Sequence, residues 1–287
     1  MLNLRAHYER ISKDALPRQQ LSIAQIIATH SIDTETVALI WLLLEYGASL
    51  TVAGLTEPRP GVGKTTALYA LLPFLPEKMA LANMAGMHET FSFTRLPDIS
   101  PAETYAICSE ISDHQPTYMW GQIARRYLML PSQGYHILTT VHADTIDDVL
   151  HMYQHDLHVP LTDIRLLGLI VNIGLVGRAK ASSRRWLSTY FISPQTDPQH
   201  PEAISKLPLS KWNTSNGTFE HASQSVLAQL AGWAKLTPDV FADSLQQRVE
   251  LLTELAQGKG AAMDQVYETV NQWRKQNNTA VLLAAPD

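Results

Sequence analysis

Residues 49–72 read SLTVAGLTEPRPGVGKTTALYALL, and no other stretch restricts the fold as strongly. A short apolar, β-branched run ends in Gly54, a segment rich in glycine and proline follows, and Lys64 opens a pattern of helical period that stops at Pro76. Strand, glycine loop and helix in this order make a βα unit, the building block of parallel sheets. The loop also carries chemistry. In a phosphate-binding loop, glycines let successive backbone N–H groups curl around phosphate oxygens, a lysine reaches the terminal phosphates, and the next hydroxyl binds Mg²⁺. Gly61, Val62, Gly63, Lys64, Thr65 and Thr66 supply that order of residues, with Thr65 as the candidate metal-binding hydroxyl. The strict spacing G-x-x-x-x-G-K-[ST] would put its first glycine at Pro58, whereas Gly54 stands four residues earlier. An incidental glycine turn is the alternative, and the flanking strand and helix argue against it.

The surrounding pattern is consistent with such a unit. Before it, residues 21–30 (LSIAQIIATH) and 33–47 (DTETVALIWLLLEYG) predict two helices, the second capped by Asp33 and closed by Gly47. After it come strand candidates at 78–84, 104–110 and 135–143, alternating with helices at 117–130 and 145–155. This alternation predicts an α/β fold with a mostly parallel sheet flanked by helices, completed or extended by strands in LIVNIGLVG (169–177) and WLSTYFIS (186–193). The stretch KWNTSNGTFEH carries an Asn-Gly turn signal, and beyond it the composition turns helical. Thr237 and Pro238 open a helix striped by Phe241, Leu245, Val249 and Leu252 and ended by Gly258; Met263, Val266, Val270 and Trp273 stripe another. The expected organisation is a lead-in strand or linker over 1–20, one α/β domain over 21–215 and a C-terminal helical subdomain over 216–287.

Bulk properties remove several function classes. A chain of 287 residues with a formal charge of −5 has no general attraction to nucleic acid, and the cluster Arg178, Lys180, Arg184 and Arg185 reads first as a solvated loop. The lone Cys108 forms no intrachain disulfide, in keeping with a reducing compartment. The longest apolar runs, 37–44 and 166–177, fall short of the ~20 residues a membrane span requires, and the first residues carry no signal-peptide pattern. A cytoplasmic protein that meets a membrane only through a partner is the expectation. No Cys/His spacing suggests zinc.

Two further residues belong with the glycine loop. In TYAICSEISD an apolar strand emerges onto Glu110, where a nucleotide hydrolase places a carboxylate to orient water or serve the Mg²⁺ shell. In ILTTVHADT, His142 closes a predicted strand, and the carboxyl ends of parallel strands face the ligand crevice of an open sheet. A histidine there can contact a γ-phosphate or serve as a hydrogen-bonded structural group.

Together these segments resemble the type II/type IV secretion ATPase superfamily, in particular the archaeal-type branch that drives archaellum and type IV pilus assembly. The likeness begins in the apolar order of residues 21–54, including LIWLLLEYG, and continues in CSEIS at the family's G-E-[IV]-R box. It is strongest in TTVHADTIDDVLHMYQHDLHVPLTDIRLLGLIV at the histidine box, and it extends through the C-terminal helices to about residue 275. The resemblance implies a RecA-like P-loop NTPase core in a homo-hexameric ring that docks on a polytopic inner-membrane platform protein and uses ATP and Mg²⁺. It assigns phosphate and Mg²⁺ contacts to Lys64 and Thr65, a Walker B role to Glu110, and the histidine-box role to His142. It also makes residues 1–20 a candidate remnant of the family's N-terminal domain, nearly all of which is expected to be missing.

Against the family pattern, the glycine loop contains a four-residue insertion after Gly54 that carries Pro58 and Pro60. The acidic I-E-D box has no counterpart in MALANMAGMHE, where Asn83 or Met84 falls at the position and Glu89 lies further on. Ser109 and Ser112 replace the glycine and arginine of G-E-[IV]-R, and Tyr135 replaces a histidine before the histidine-box strand. These changes remove charge-stabilising and water-activating groups while keeping the phosphate cradle. Two readings stay open, an ATP-hydrolysing motor subunit and an inert pseudo-ATPase that assembles or regulates an active ring. A DNA translocase is disfavoured by the acidic balance.

Overall fold

A computed structural model describes residues 8–13, 16–17, 20–54, 61–76, 79–177, 182–196 and 198–277. The insertion with Pro58 and Pro60, and Arg178 and Lys180 of the basic cluster, lie outside the described residues. In chain order the elements are β1 (Tyr8–Arg10), α1 (Ile23–Ala28), α2 (Thr34–Glu45), β2 (Leu50–Gly54), α3 (Lys64–Ala70), β3 (Ala80–Asn83), β4 (Thr104–Ile111), α4 (Gly121–Leu128) and β5 (His136–His142). They continue with α5 (Ile146–His151), α6 (Leu161–Ile164), β6 (Gly168–Val176), β7 (Ser183–Ser193), β8 (Ser205–Asn213), β9 (Thr218–His221), α7 (Gln224–Trp233), α8 (Pro238–Leu255) and α9 (Met263–Gln276).

The described strands form a single sheet in the order β1-β3-β4-β5-β2-β6-β7-β8-β9. Its middle, β3-β4-β5-β2-β6, is parallel, while β1 adds antiparallel at one edge and β7, β8 and β9 add as an antiparallel meander at the other. The parallel strands are buried along most of their length because helices cover both faces. Leu50 and Val52 of β2 point into one apolar core, shared with α1, α2, α3 and α7–α9, whereas Ala53 joins a second core under α4, α5 and α6. β8 contains Pro208, which discourages a strand assignment; it is accommodated beyond the end of β9 and beside a register shift of β7, where no ladder donor is needed.

Helix α2 opens at Asp33, whose side chain accepts from the Thr36 N–H, and buries ten of its twelve residues. Such an all-round apolar helix has to lie inside the molecule. It is enclosed by the sheet and by α8 and α9, and its last residue, Glu45, is held by Arg248 of α8 and by Arg274 Nε of α9 at 2.5 Å. The Arg248 guanidinium lies between the rings of Trp41 and Trp273, 4.9 and 4.7 Å from their centroids. Burial pushes the Glu45 carboxyl up, but the two arginines outweigh it and hold the group below its ordinary value. The boundary expected at 215/216 falls in the turn between β8 and β9.

Candidate functional site

The site is built where β2, β4 and β5 end. β2 runs beside β5 with Gly54 opposite His142, so the start of the glycine loop and the histidine are neighbours by strand register. Gly54 has to be glycine. A β-carbon there would stand 2.8 Å from the Ile173 carbonyl, 2.9 Å from Val62 Cγ1 and 3.3 Å from Lys64 Cγ, because the loop folds back across the strand end. Gly61 and Gly63 hold φ values of +90° and +103°, a left-handed curl that ends as α3 begins.

Lys64, buried on the first turn of α3, directs its ammonium to 3.1 Å from His142 Nδ1 and 3.7 Å from Glu110 Oε2. His142 Nε2 in turn lies 3.6 Å from Glu110 Oε1. Glu110 reaches this point because the β4–β5 register slips between Cys108 and Ile111, and a bulge re-aims the side chain it carries. The Thr140 hydroxyl secures the bulge, lying 2.6 Å from the Ser109 carbonyl and 2.8 Å from Glu110 Oε2. The other carboxylate oxygen, Oε1, is buried and has no hydrogen-bond partner among the described residues.

Burial sets the electrostatics. It raises the Glu110 carboxyl above its ordinary value, partly offset by Lys64 and by the Thr140 hydroxyl, and it lowers the Lys64 ammonium, partly offset by Glu110. His142 is pushed down to about 4, first by burial and then by the nearby Lys64 and His114, so its ring is neutral at pH 7 and accepts from Lys64. A buried cation, a carboxylate with a spare oxygen and a neutral imidazole can bind an anion, orient a water, or share in holding a cation.

Thr65 and Thr66 are half-buried on the same turn of α3; no hydrogen bond joins Thr65 to Glu110 among the described residues. Thr66 lines a cavity of 590 Å³ beside the loop, with apolar walls from Ile26, Val62, Ile173 and Trp186 and with Arg184 and Arg185 at its polar side. A second cavity, of 420 Å³, is lined by His142 together with Asp113, His114, Asp148, His151 and Asp156. No group of three or more His, Cys, Asp or Glu among the described residues is arranged to hold a metal ion.

No protein-family model matches the chain. Among curated proteins, it is 24% identical over 253 residues to uncharacterized protein MJ1287 of Methanocaldococcus jannaschii, covering 82% of this chain and 91% of that protein. It is also 27% identical over 158 residues to uncharacterized protein MJ0900 of the same organism, covering 50% of this chain and only 28% of that longer protein. Among solved structures it is similar to the VirB11 ATPase from the Brucella suis type IV secretion system in complex with sulphate. That likeness is distant and concerns the fold alone: 14% identity, a TM-score of 0.38, and coverage of 65% of this chain and 61% of the other.

Two residues around the site, Asn172 and His114, were not singled out by motif. Asn172 is a polar interruption in the apolar run LIVNIGLV; its amide donates to the Asp144 carbonyl at 2.8 Å and fixes the turn that follows His142. His114 packs edge-on against His142 with ring centroids 5.0 Å apart, a pairing that no spacing announces. Arg184 belongs to β7 rather than to a solvated loop, and its guanidinium donates to the Gly61 carbonyl at 3.1 Å. The carboxylate of Glu89 accepts from the backbone N–H groups of Ala85 and Phe91, so it serves its own turn. Asn83 donates to Glu9 of β1 at 3.3 Å.

Proposed function

We propose that the chain is an ATP-binding P-loop protein with a RecA-like core, acting as a motor subunit of a type IV pilus, archaellum or related secretion machine. The observation that carries this reading is the convergence of Lys64, Glu110 and His142 within 3.7 Å of one another beside a glycine loop. Terminal phosphate oxygens compete with Glu110 and His142 for the Lys64 ammonium, which frees the carboxylate to orient a water. Mg²⁺ would be held by Thr65 and by Glu110, whose buried Oε1 lacks a hydrogen-bond partner among the described residues, and would neutralise charge on the phosphates. His142, neutral at pH 7, would donate its one ring N–H to a γ-phosphate oxygen. In this reading the subunit works in a homo-hexamer docked on a membrane platform protein; no described helix is long and apolar enough to cross a membrane itself.

A specific observation favours a second reading, the pseudo-ATPase. Asn83 is occupied by Glu9 and the Glu89 carboxylate by backbone N–H groups, which leaves Glu110 as the carboxylate in contact with Lys64. Steady-state ATP turnover of wild type beside Glu110→Gln separates the two. The motor reading expects turnover that drops by ~10²-fold or more in the variant; equal silence with nucleotide binding retained selects the pseudo-ATPase. Lys64→Ala is expected to abolish Mg²⁺–ATP binding in calorimetry, and an unchanged affinity would remove the phosphate-loop assignment from both.

A further inference from the structure

The position of Arg184 follows from the sheet order. β6 lies next to β2, and β7 returns antiparallel along β6 with Arg184 opposite Leu175, which carries the first residues of β7 over the glycine loop. There the guanidinium Nη2 donates to the Gly61 carbonyl at 3.1 Å. The stem of the same side chain covers the next glycine: its Cδ and Nε lie 3.6 and 3.8 Å from where a β-carbon on Gly63 would stand. Arg184 therefore hydrogen-bonds Gly61 and lies over Gly63, the two described residues of the loop whose φ is positive, at +90° and +103°.

The peptide joining Gly61 to Val62 is planar and trans, so its carbonyl and its N–H point in opposite directions. Anchoring the Gly61 carbonyl to a strand on one side of the loop fixes the Val62 N–H on the other side. Val62 is itself pinned, buried with its Cγ1 against Gly54. Without the anchor, this peptide turns through ψ of Gly61 and φ of Val62, and with no side chain at Gly61 the first of these is weakly restrained. We propose that Arg184 is a positioning residue of the phosphate loop, holding the Gly61–Val62 peptide in the orientation in which its N–H faces a bound phosphate. The hairpin of β6 and β7 then becomes a lever on nucleotide affinity, because displacing the start of β7 releases the loop. The geometric half of this inference is independent of ligand; its effect on affinity rests on the nucleotide reading above.

The test uses the full chain in two measurements. In hydrogen exchange of the nucleotide-free protein, Arg184→Gln is expected to exchange the amides of residues 62–64 about tenfold faster than wild type, the scale of losing one charge-assisted hydrogen bond at an exposed position. Strands β2 and β6 should stay unchanged. Arg184→Lys, which keeps a charged donor, should restore most of the protection. In calorimetry with Mg²⁺–ATP, Arg184→Gln should bind about tenfold more weakly and Arg184→Lys should fall between it and wild type. Unchanged exchange at 62–64 in Arg184→Gln overturns the proposal, as does faster exchange spread evenly along β6 and β7, which marks general loosening of the sheet. If exchange responds as expected but wild type takes up no ATP, the anchor stands and the nucleotide reading falls.

Discussion

At Gly54 the missing side chain does the structural work, since the strand end, Val62 and Lys64 crowd the space a methyl group would fill. Gly54→Ala meets a backbone carbonyl at 2.8 Å, an atom that moves only with β6. The expected cost is ~1–3 kcal/mol, as for other insertions into a packed interior, and urea unfolding of the variant measures it. His142 offers a second residue-scale test. Its folded value of about 4 lies below the ordinary 6.5, so the fold favours the neutral ring. The stability this contributes is complete above pH ~6.5 and is lost as pH falls through about 4. His142→Gln cannot titrate, so the stability difference between wild type and this variant should be flat above pH ~6.5 and should shrink towards pH 4. A difference that stays level across that range would show that burial and Lys64 do not act on the ring as inferred.

Among the elements, α2 was legible in the sequence because the unbroken apolar run from Val37 to Leu44, behind an Asp cap, fits little else. Its partners were not legible. Glu45 meets Arg248 and Arg274 across separations of 203 and 229 residues, and no local pattern encodes a pairing at that range. The stripes on α8 and α9 announced packing surfaces, yet the charge buried beneath them is what joins both helices to α2. Glu45→Gln removes the counter-charge of two buried guanidiniums, and leaving such charges uncompensated typically costs ~3–5 kcal/mol. Chemical denaturation at neutral pH should register that loss. In wild type the depressed Glu45 carboxyl should add an acid-sensitive term that is present above pH 4.5, the ordinary value, and is lost at lower pH. The same distinction explains the basic cluster: Arg184 read as surface charge because the β6–β7 pairing that sets it over Gly61 is visible only in the assembled sheet.

Across the whole molecule, the parallel centre of the sheet follows from the strand and helix alternation, whereas β1 and β8 of its antiparallel edges were not marked as strands by it. Lys64, Glu110 and His142 were each marked by position at a strand or loop end, but their convergence depends on three strands ending together and on the bulge at Ser109 and Glu110, which has no signature in residue types. Because the site draws on β2, β4, β5 and α3, a ligand bound there should stabilise the entire fold rather than one segment. Mass action sets the size: a ligand at 100 times its Kd adds ~2.7 kcal/mol, which for a chain of 287 residues corresponds to a rise of about 4–5 °C in Tm. Mg²⁺–ATP is expected to produce that rise, growing with the logarithm of its concentration, in wild type and in Glu110→Gln. It should produce none in Lys64→Ala. Adenosine, which has no phosphates for Lys64 to reach, should shift Tm far less than ATP at equal concentration. A wild-type Tm indifferent to ATP up to millimolar concentration would contradict the proposed nucleotide site in both its motor and its pseudo-ATPase form, while leaving the fold and the Arg184 anchor untouched.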